Sequence, residues 1–114
     1  MNAQPVAPAL FPLAEARTAP LPPGRLSALL LAHGSLELRW YAPAGVDSQT
    51  PHSRDEVYVV ASGSGWFVRG TERFRFAAGD ALFVAAGVVH RFEEFTPDFG
   101  TWVMFYGPEG GECP

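Results

Sequence analysis

From Arg25 onward the chain is cut into eight short runs, each apolar or alternating, and each followed within a few residues by Gly, Pro, Asp or Ser. They are Leu26–His33, Leu36–Ala42, Glu56–Ser62, Trp66–Arg69, Arg73–Phe76, Ala81–Val84, His90–Phe95 and Thr101–Tyr106. Runs this short, rich in β-branched and aromatic residues and without a helical period, predict strands. Nothing between them is built as a crossover helix, which parallel pairing requires, so the sheets are expected to be antiparallel. Gly34-Ser35, Gly63-Ser64-Gly65 and Gly70-Thr71 each offer a residue that tolerates positive φ, and they predict hairpins between sequential strands. Eight such strands predict an all-β jelly-roll or barrel, where closure deals with exposed edges.

Residues 1–24 contain Pro5, Pro8, Pro12, Pro20, Pro22 and Pro23, and only Leu10 to Ala19 is free enough for a short helical turn. This lead predicts a proline-rich N-terminal arm packed on the body or on a partner subunit, with residues 25–114 forming a single barrel domain. Hydrophobic residues at 47% supply the core. A net charge of -4 with no basic stripe argues against nucleic acid. Cys113, near the C-terminus, is the single cysteine and makes neither an internal disulfide nor a thiolate metal site. The most apolar stretch, Leu26–Ala32, is far below the roughly 18 residues of a membrane span, and no basic residue leads an apolar stretch at the N-terminus. The expectation is a soluble cytoplasmic protein without a membrane partner.

Alternation assigns faces. Leu36, Leu38 and Trp40 oppose Glu37, Arg39 and Tyr41, while Phe74 and Phe76 oppose Arg73 and Arg75; the first set of each is expected to face inward. An interior lined this way is apolar with few polar groups, as small-molecule sites are.

Three histidines occur, His33, His52 and His90. His33 precedes Gly34 in a turn and reads as exposed. If the chain before the third run is extended, Thr50, His52 and Glu56 share one face, and His90 opens a strand far down the chain. A carboxylate and imidazoles aimed into an apolar interior need compensation, because an unpaired buried charge costs several kcal/mol. A divalent cation supplies it, and two His with one carboxylate suit iron, zinc, manganese or nickel. The competing reading is a buried hydrogen-bonded pair without metal. Asp55, on the opposite face from Glu56, reads as solvated.

These residues resemble the cupins. The family's first motif, G(X)5HXH(X)3-4E(X)6G, is met by His52, Glu56 and Gly63, and its second, G(X)5PXG(X)2H(X)3N, by Gly79, Gly87 and His90. Fifteen residues, Ser64 to Ala78, separate the two, like the spacer of small single-domain cupins, and the resemblance runs from about Ala44 to Glu94. The departures are Gly45 one place late, Thr50 for the first histidine, Ala85 for proline and Glu94 for asparagine. The resemblance therefore implies one divalent metal ion (Fe, Zn, Mn or Ni) on His52, Glu56 and His90, with a position left by Thr50 that water fills, or that Gln49 or Glu94 reaches.

It implies further a metal-dependent enzyme acting on a small organic substrate by dioxygenase, isomerase, decarboxylase or lyase chemistry. The alternative is a non-catalytic cupin that binds a small ligand or metal as a sensor or carrier. Glu94, if inward, is placed to act as general acid or base. Thr50, Tyr58, Phe92, Trp40 and Trp102 are the expected pocket residues. A homodimer is expected, with Leu26–Ala32 and the arm as the contact.

Overall fold

The structure is a computed structural model that describes residues 7–114; residues 1–6, with Pro5 of the expected arm, lie outside the described residues. A one-and-a-half-turn helix, α1 (Leu13–Arg17), precedes eight strands: β1 (Ala28–His33), β2 (Leu36–Tyr41), β3 (Asp55–Ser62), β4 (Ser64–Arg69), β5 (Glu72–Ala77), β6 (Ala81–Val84), β7 (His90–Glu93) and β8 (Gly100–Tyr106). All eight expected strands are present, and every pairing is antiparallel. They form a five-stranded sheet in the order β1-β2-β8-β3-β6 and a three-stranded sheet in the order β5-β4-β7. Among the described residues, no helix is long and apolar enough to cross a membrane.

The core lies between the sheets and is dominated by aromatic rings: Tyr41, Tyr58, Phe67, Phe76, Phe92 and Phe99, with Val60, Val84 and Val103. Phe92 sits at its centre, with ring centroids 4.7–5.4 Å from Tyr58, Phe67, Phe76 and Phe99. A large share of the fold's stability resides there, since each such ring removes 150–250 Å² or so from water.

Several expected details differ. Hairpins form at Gly34-Ser35 and Gly70-Thr71, but β3 and β4 belong to different sheets. Gly63 is the corner between them, at φ 82°, and a Cβ there would lie 2.6 Å from the Phe99 Cα. Only a residue without a side chain lets the chain turn so close to that backbone. We expect Gly63→Ala to destabilise by at least about 2 kcal/mol, the left-handed backbone and the collision both contributing. Gly70→Ala, at φ 60° with open space around its Cβ, should cost only about 1–2 kcal/mol for backbone strain; chemical denaturation of both variants compares them.

The second difference is the polarity of β2. Tyr41 points into the barrel core, whereas Trp40 joins Ala16, Ala28, Leu13, Ala19 and Trp102 in a separate cluster on the outer face, under α1. Trp40 lies opposite Trp102 across β2 and β8, the rings edge to face at 5.4 Å. Both faces of β2 are therefore covered. Alternation separates two faces but does not tell which cover is the barrel, so Glu37 and Arg39, expected outside, share the barrel-facing side with Tyr41. On β5 the expectation holds for Phe76, which is buried, while Phe74 sits half-exposed at the rim and Arg73 and Arg75 stack on Trp66.

Asp55 is also placed differently: it is buried, and its carboxylate accepts the Ala86 and Glu112 backbone N–H groups at 2.9 and 2.8 Å. Those two bonds hold its carboxyl below the ordinary range. The Ala86 bond also pins the 85–88 turn, which leads into His90.

Candidate metal centre

Neighbouring strands of opposite sheets deliver the site. Glu56 and Tyr58 alternate inward on β3, His90 opens β7, and His52 lies on the irregular segment just before β3. One suitable donor atom from each of His52, Glu56 and His90 falls within 4.8 Å of the others. The His90 Nε2 is 2.8 Å from Glu56 Oε1, and the His52 Nε2 is 3.9 Å from the same oxygen. Glu56 and His90 are almost wholly buried, while His52 is a third exposed and marks the side open to solvent.

Hydrogen bonding fixes most orientations. The Val88 carbonyl accepts the His90 Nδ1–H at 2.9 Å, which aims Nε2 at Glu56 and at the Tyr58 hydroxyl, 3.0 Å away. Tyr58 donates to Gln49 Oε1 at 3.1 Å, and that oxygen is 3.2 Å from His52 Nε2. Because the phenol has one proton, its donation to Gln49 is compatible with the His90 contact only if His90 Nε2 carries a proton too. An Nε2–H on His90 satisfies the Glu56 and the Tyr58 contacts at once. Burial alone would lower the His90 pKa, but the bonds to Glu56 and to the Val88 carbonyl outweigh it and hold it above the ordinary value. The His52 ring is lowered, chiefly by burial. Burial, with the Glu56 charge nearby, keeps the Tyr58 phenol well above its usual range.

One atom is left over: the Glu56 Oε2 is buried and has no hydrogen-bond partner among the described residues. A buried carboxylate oxygen without a donor is costly and calls for an explanation. A cation fits. Two donors each about 2.1 Å from one ion lie roughly 3.0–3.4 Å apart at right-angled to tetrahedral separation, and the observed 2.8 and 3.9 Å bracket that spacing. The donor set, two imidazoles and a carboxylate, suits iron, zinc, manganese or nickel.

The remaining expected site residues divide. Tyr58 is at the centre. Thr50 is exposed, and Gln49 takes the inward direction instead. The cause is Asp47: it accepts the Gln49 backbone N–H at 3.1 Å, a local turn of the kind Asp favours, and its other oxygen accepts the Gln49 side-chain N–H at 2.7 Å. With the amide nitrogen tied to Asp47, the amide oxygen faces His52 and Tyr58. Glu94 does not reach the site. Strand β7 ends at Glu93, Glu94 takes a left-handed φ of 48°, and its 74% exposed side chain pairs with Arg73. Phe92 is core behind Tyr58, and Trp40 and Trp102 belong to the outer cluster, so these three line no pocket at the donors. His33 is exposed, as expected.

The space at the donors is small. An inner cavity of about 30 Å³, walled by Tyr41, Gln49, His52, Glu56, Tyr58 and Phe105, opens to an outer cleft of about 410 Å³. Leu26, Ser27, His52 and Phe105 border both. The outer cleft is not the apolar chamber expected: Arg25, Arg39, Arg54, Glu37 and Glu109 line it.

Comparison with known proteins agrees with this architecture. A family model for the Cupin domain matches residues 38–104, more than half of the chain. An uncharacterized protein of Streptomyces coelicolor is 43% identical over 63 residues, which span 55% of this chain and 60% of that relative, so less than two thirds of the relative's length is covered. Among solved structures, a cupin superfamily protein of Desulfitobacterium hafniense superposes with a TM-score of 0.64 at 17% identity, covering 93% of this chain and 100% of that one. A Cupin 2 conserved barrel domain protein of Salinispora arenicola gives 0.62 at 22% identity, covering 93% and 91%. Identities this low speak to the fold, which is the same two-sheet barrel. With the motif residues of two distant strands converging inside that barrel and the family model spanning it, the chain belongs to the cupin family.

Proposed function

We propose that this cupin binds one divalent metal ion through His52, Glu56 and His90, with the Gln49 side-chain oxygen as a fourth donor, and works as a metal-dependent enzyme on a small organic substrate. The orphaned Oε2 of Glu56, on a buried carboxylate whose other oxygen meets two convergent imidazoles, is the observation that carries this reading. When bound, such a cation acts as a Lewis acid that polarises a substrate oxygen. The chain's own residues do the rest. Asp47 holds the Gln49 amide in its donor orientation, Val88 holds the His90 ring, and Tyr58 keeps a hydrogen-bond donor beside the donor atoms. Tyr41, Val103 and Phe105 line the inner cavity. The reading carries with it a cytoplasmic homodimer, for which Leu26 and Leu29, both half exposed, supply apolar contact.

A second reading, a binder without catalysis, has one observation in its favour: Glu94, the expected acid or base, faces solvent. Mass analysis of candidate small acids and ketones after incubation with metal-loaded protein separates the two. A ligand that stabilises the protein and is recovered unchanged, for every compound that binds, decides for the binder.

Metal binding itself should release protons, because coordination by imidazole needs a free nitrogen lone pair. The sign follows from the two rings. His90 is raised, so its Nε2 proton competes with the ion up to a pH above its ordinary value, and affinity falls as pH drops through that raised pKa. His52 is lowered and stays neutral into mild acid, so it contributes little to the release. Calorimetric zinc titration in buffers of different ionisation enthalpy, with elemental analysis for stoichiometry, measures both quantities. No bound ion in protein purified without a histidine tag and then exposed to zinc, iron, manganese or nickel rejects the metal site.

A further inference from the structure

The inner cavity is too small for an organic substrate, so the bulk of any substrate rests in the outer cleft, and the cleft's chemistry selects it. This chain has eight basic side chains, all arginine, in a protein of net charge -4, and three of them, Arg25, Arg39 and Arg54, line this one cleft. Two carboxylates, Glu37 and Glu109, face them, leaving the cleft with one formal positive charge. Glu37 is already engaged. It pairs with Arg39 at 2.8 Å and with Arg54, and Arg39 also donates to the Ser27 carbonyl at 3.3 Å. The Arg39 and Arg54 guanidinium groups are thereby fixed in place. Among the described residues, the Arg25 guanidinium has no ion-pair or hydrogen-bond partner, and it lies on the segment that borders His52 across the cleft.

We propose that the cleft binds a small organic anion, whose carboxylate is held by Arg25 in the field of Arg39 and Arg54 while a second oxygen points inward past His52. This rests on the metal reading only for the second oxygen; the carboxylate grip stands on the arginines alone. A free guanidinium offers a planar fork that matches a carboxylate with two parallel hydrogen bonds, a geometry lysine cannot provide. A neutral molecule of the same shape gains nothing from it. Substrates of this site are therefore small hydroxy, keto or dicarboxylic acids, not sugars or hydrocarbons.

Calorimetric titration with malonate and with its uncharged counterpart malonamide tests this, on zinc-loaded and on metal-free protein, for wild type, Arg25→Gln and Arg25→Lys. Arg25 is exposed, so neither variant should disturb folding, and thermal melting verifies that. Wild type should bind malonate about tenfold or more tightly than malonamide, as charge-assisted hydrogen bonds warrant, and added salt should weaken it. Arg25→Gln should abolish most of that preference with zinc affinity unchanged, and Arg25→Lys should keep part of it. Malonate affinity unaltered in Arg25→Gln, or equal affinity for malonamide, overturns the proposal while leaving the metal reading intact. If zinc does not bind wild type, the metal reading fails separately, and the metal-free titrations decide: there too Arg25→Gln must weaken malonate binding, or the proposal is wrong.

Discussion

Replacing His90 by alanine is expected to eliminate stoichiometric metal binding and to destabilise the metal-free protein by about 3–5 kcal/mol at neutral pH. Both losses come from one contact. His90 Nε2 lies 2.8 Å from Glu56 Oε1, both side chains are nearly inaccessible, and the other carboxylate oxygen already lacks a partner. Without the imidazole, Glu56 is a buried charge beside Tyr58 and Phe105 with no cation to compensate it. The companion variant Glu56→Leu/His90→Leu removes both charges, so it should regain most of the stability yet bind no metal. Urea denaturation at pH 7, with elemental analysis of each variant, reads all of this. A stable His90→Ala protein that still holds one ion would mean that the ion sits elsewhere. His33→Ala, at the exposed last residue of β1, should alter neither measurement.

How far such a site can be read from sequence depends on what sets each side chain's direction. Within strands, alternation does. Glu56 and Tyr58 on β3 and His90 and Phe92 on β7 point inward as a period of two requires, and all four are buried. The same rule failed on β2 because both faces of that strand are covered, one by the barrel and one by α1, and hydrophobicity does not rank two covers. Outside strands nothing so simple applies. Thr50 was expected to share a face with His52 on the premise of extended backbone, but residues 42–54 form no strand. There the direction is set by a side chain, Asp47, bonding its own backbone two residues on. Glu94 escapes for a related reason, since a single left-handed residue at the strand end undoes the alternation that would carry it inside. The arginine-lined cleft was not foreseen either, because Arg25, Arg39 and Arg54 lie on three separate segments that meet only when β2, β3 and the chain before β1 close around the opening.

Asp47 is accordingly the residue outside the expected set with the largest expected effect. It is 8% exposed, and its two oxygens accept from the Tyr41 hydroxyl, the Phe92 N–H at 2.8 Å, the Gln49 backbone N–H and the Gln49 side-chain amide. The Phe92 bond ties the loop before β3 to β7, the strand that carries His90. Asp47→Ala leaves the buried Phe92 N–H and Tyr41 hydroxyl without acceptors, and at about 1–3 kcal/mol for each the protein should lose at least about 2 kcal/mol. Asp47→Asn separates folding from site geometry. Asparagine keeps its oxygen where Oδ2 accepts both the Phe92 N–H and the Gln49 side-chain N–H, while its nitrogen, in place of Oδ1, meets the Gln49 backbone N–H, donor against donor, so the turn that aims Gln49 at His52 is lost while the Phe92 bond survives. Metal affinity should then fall about 10–100-fold, as it does when the groups that orient a ligand are removed. Gln49→Ala should lower affinity by a similar factor with little effect on stability. In the double variant the two affinity losses should not add, because both remove the same oxygen from the ion. Additive losses would mean that Asp47 acts on the site by another route, and an unchanged affinity in Gln49→Ala would remove the fourth donor from the proposed set while leaving His52, Glu56 and His90 in place.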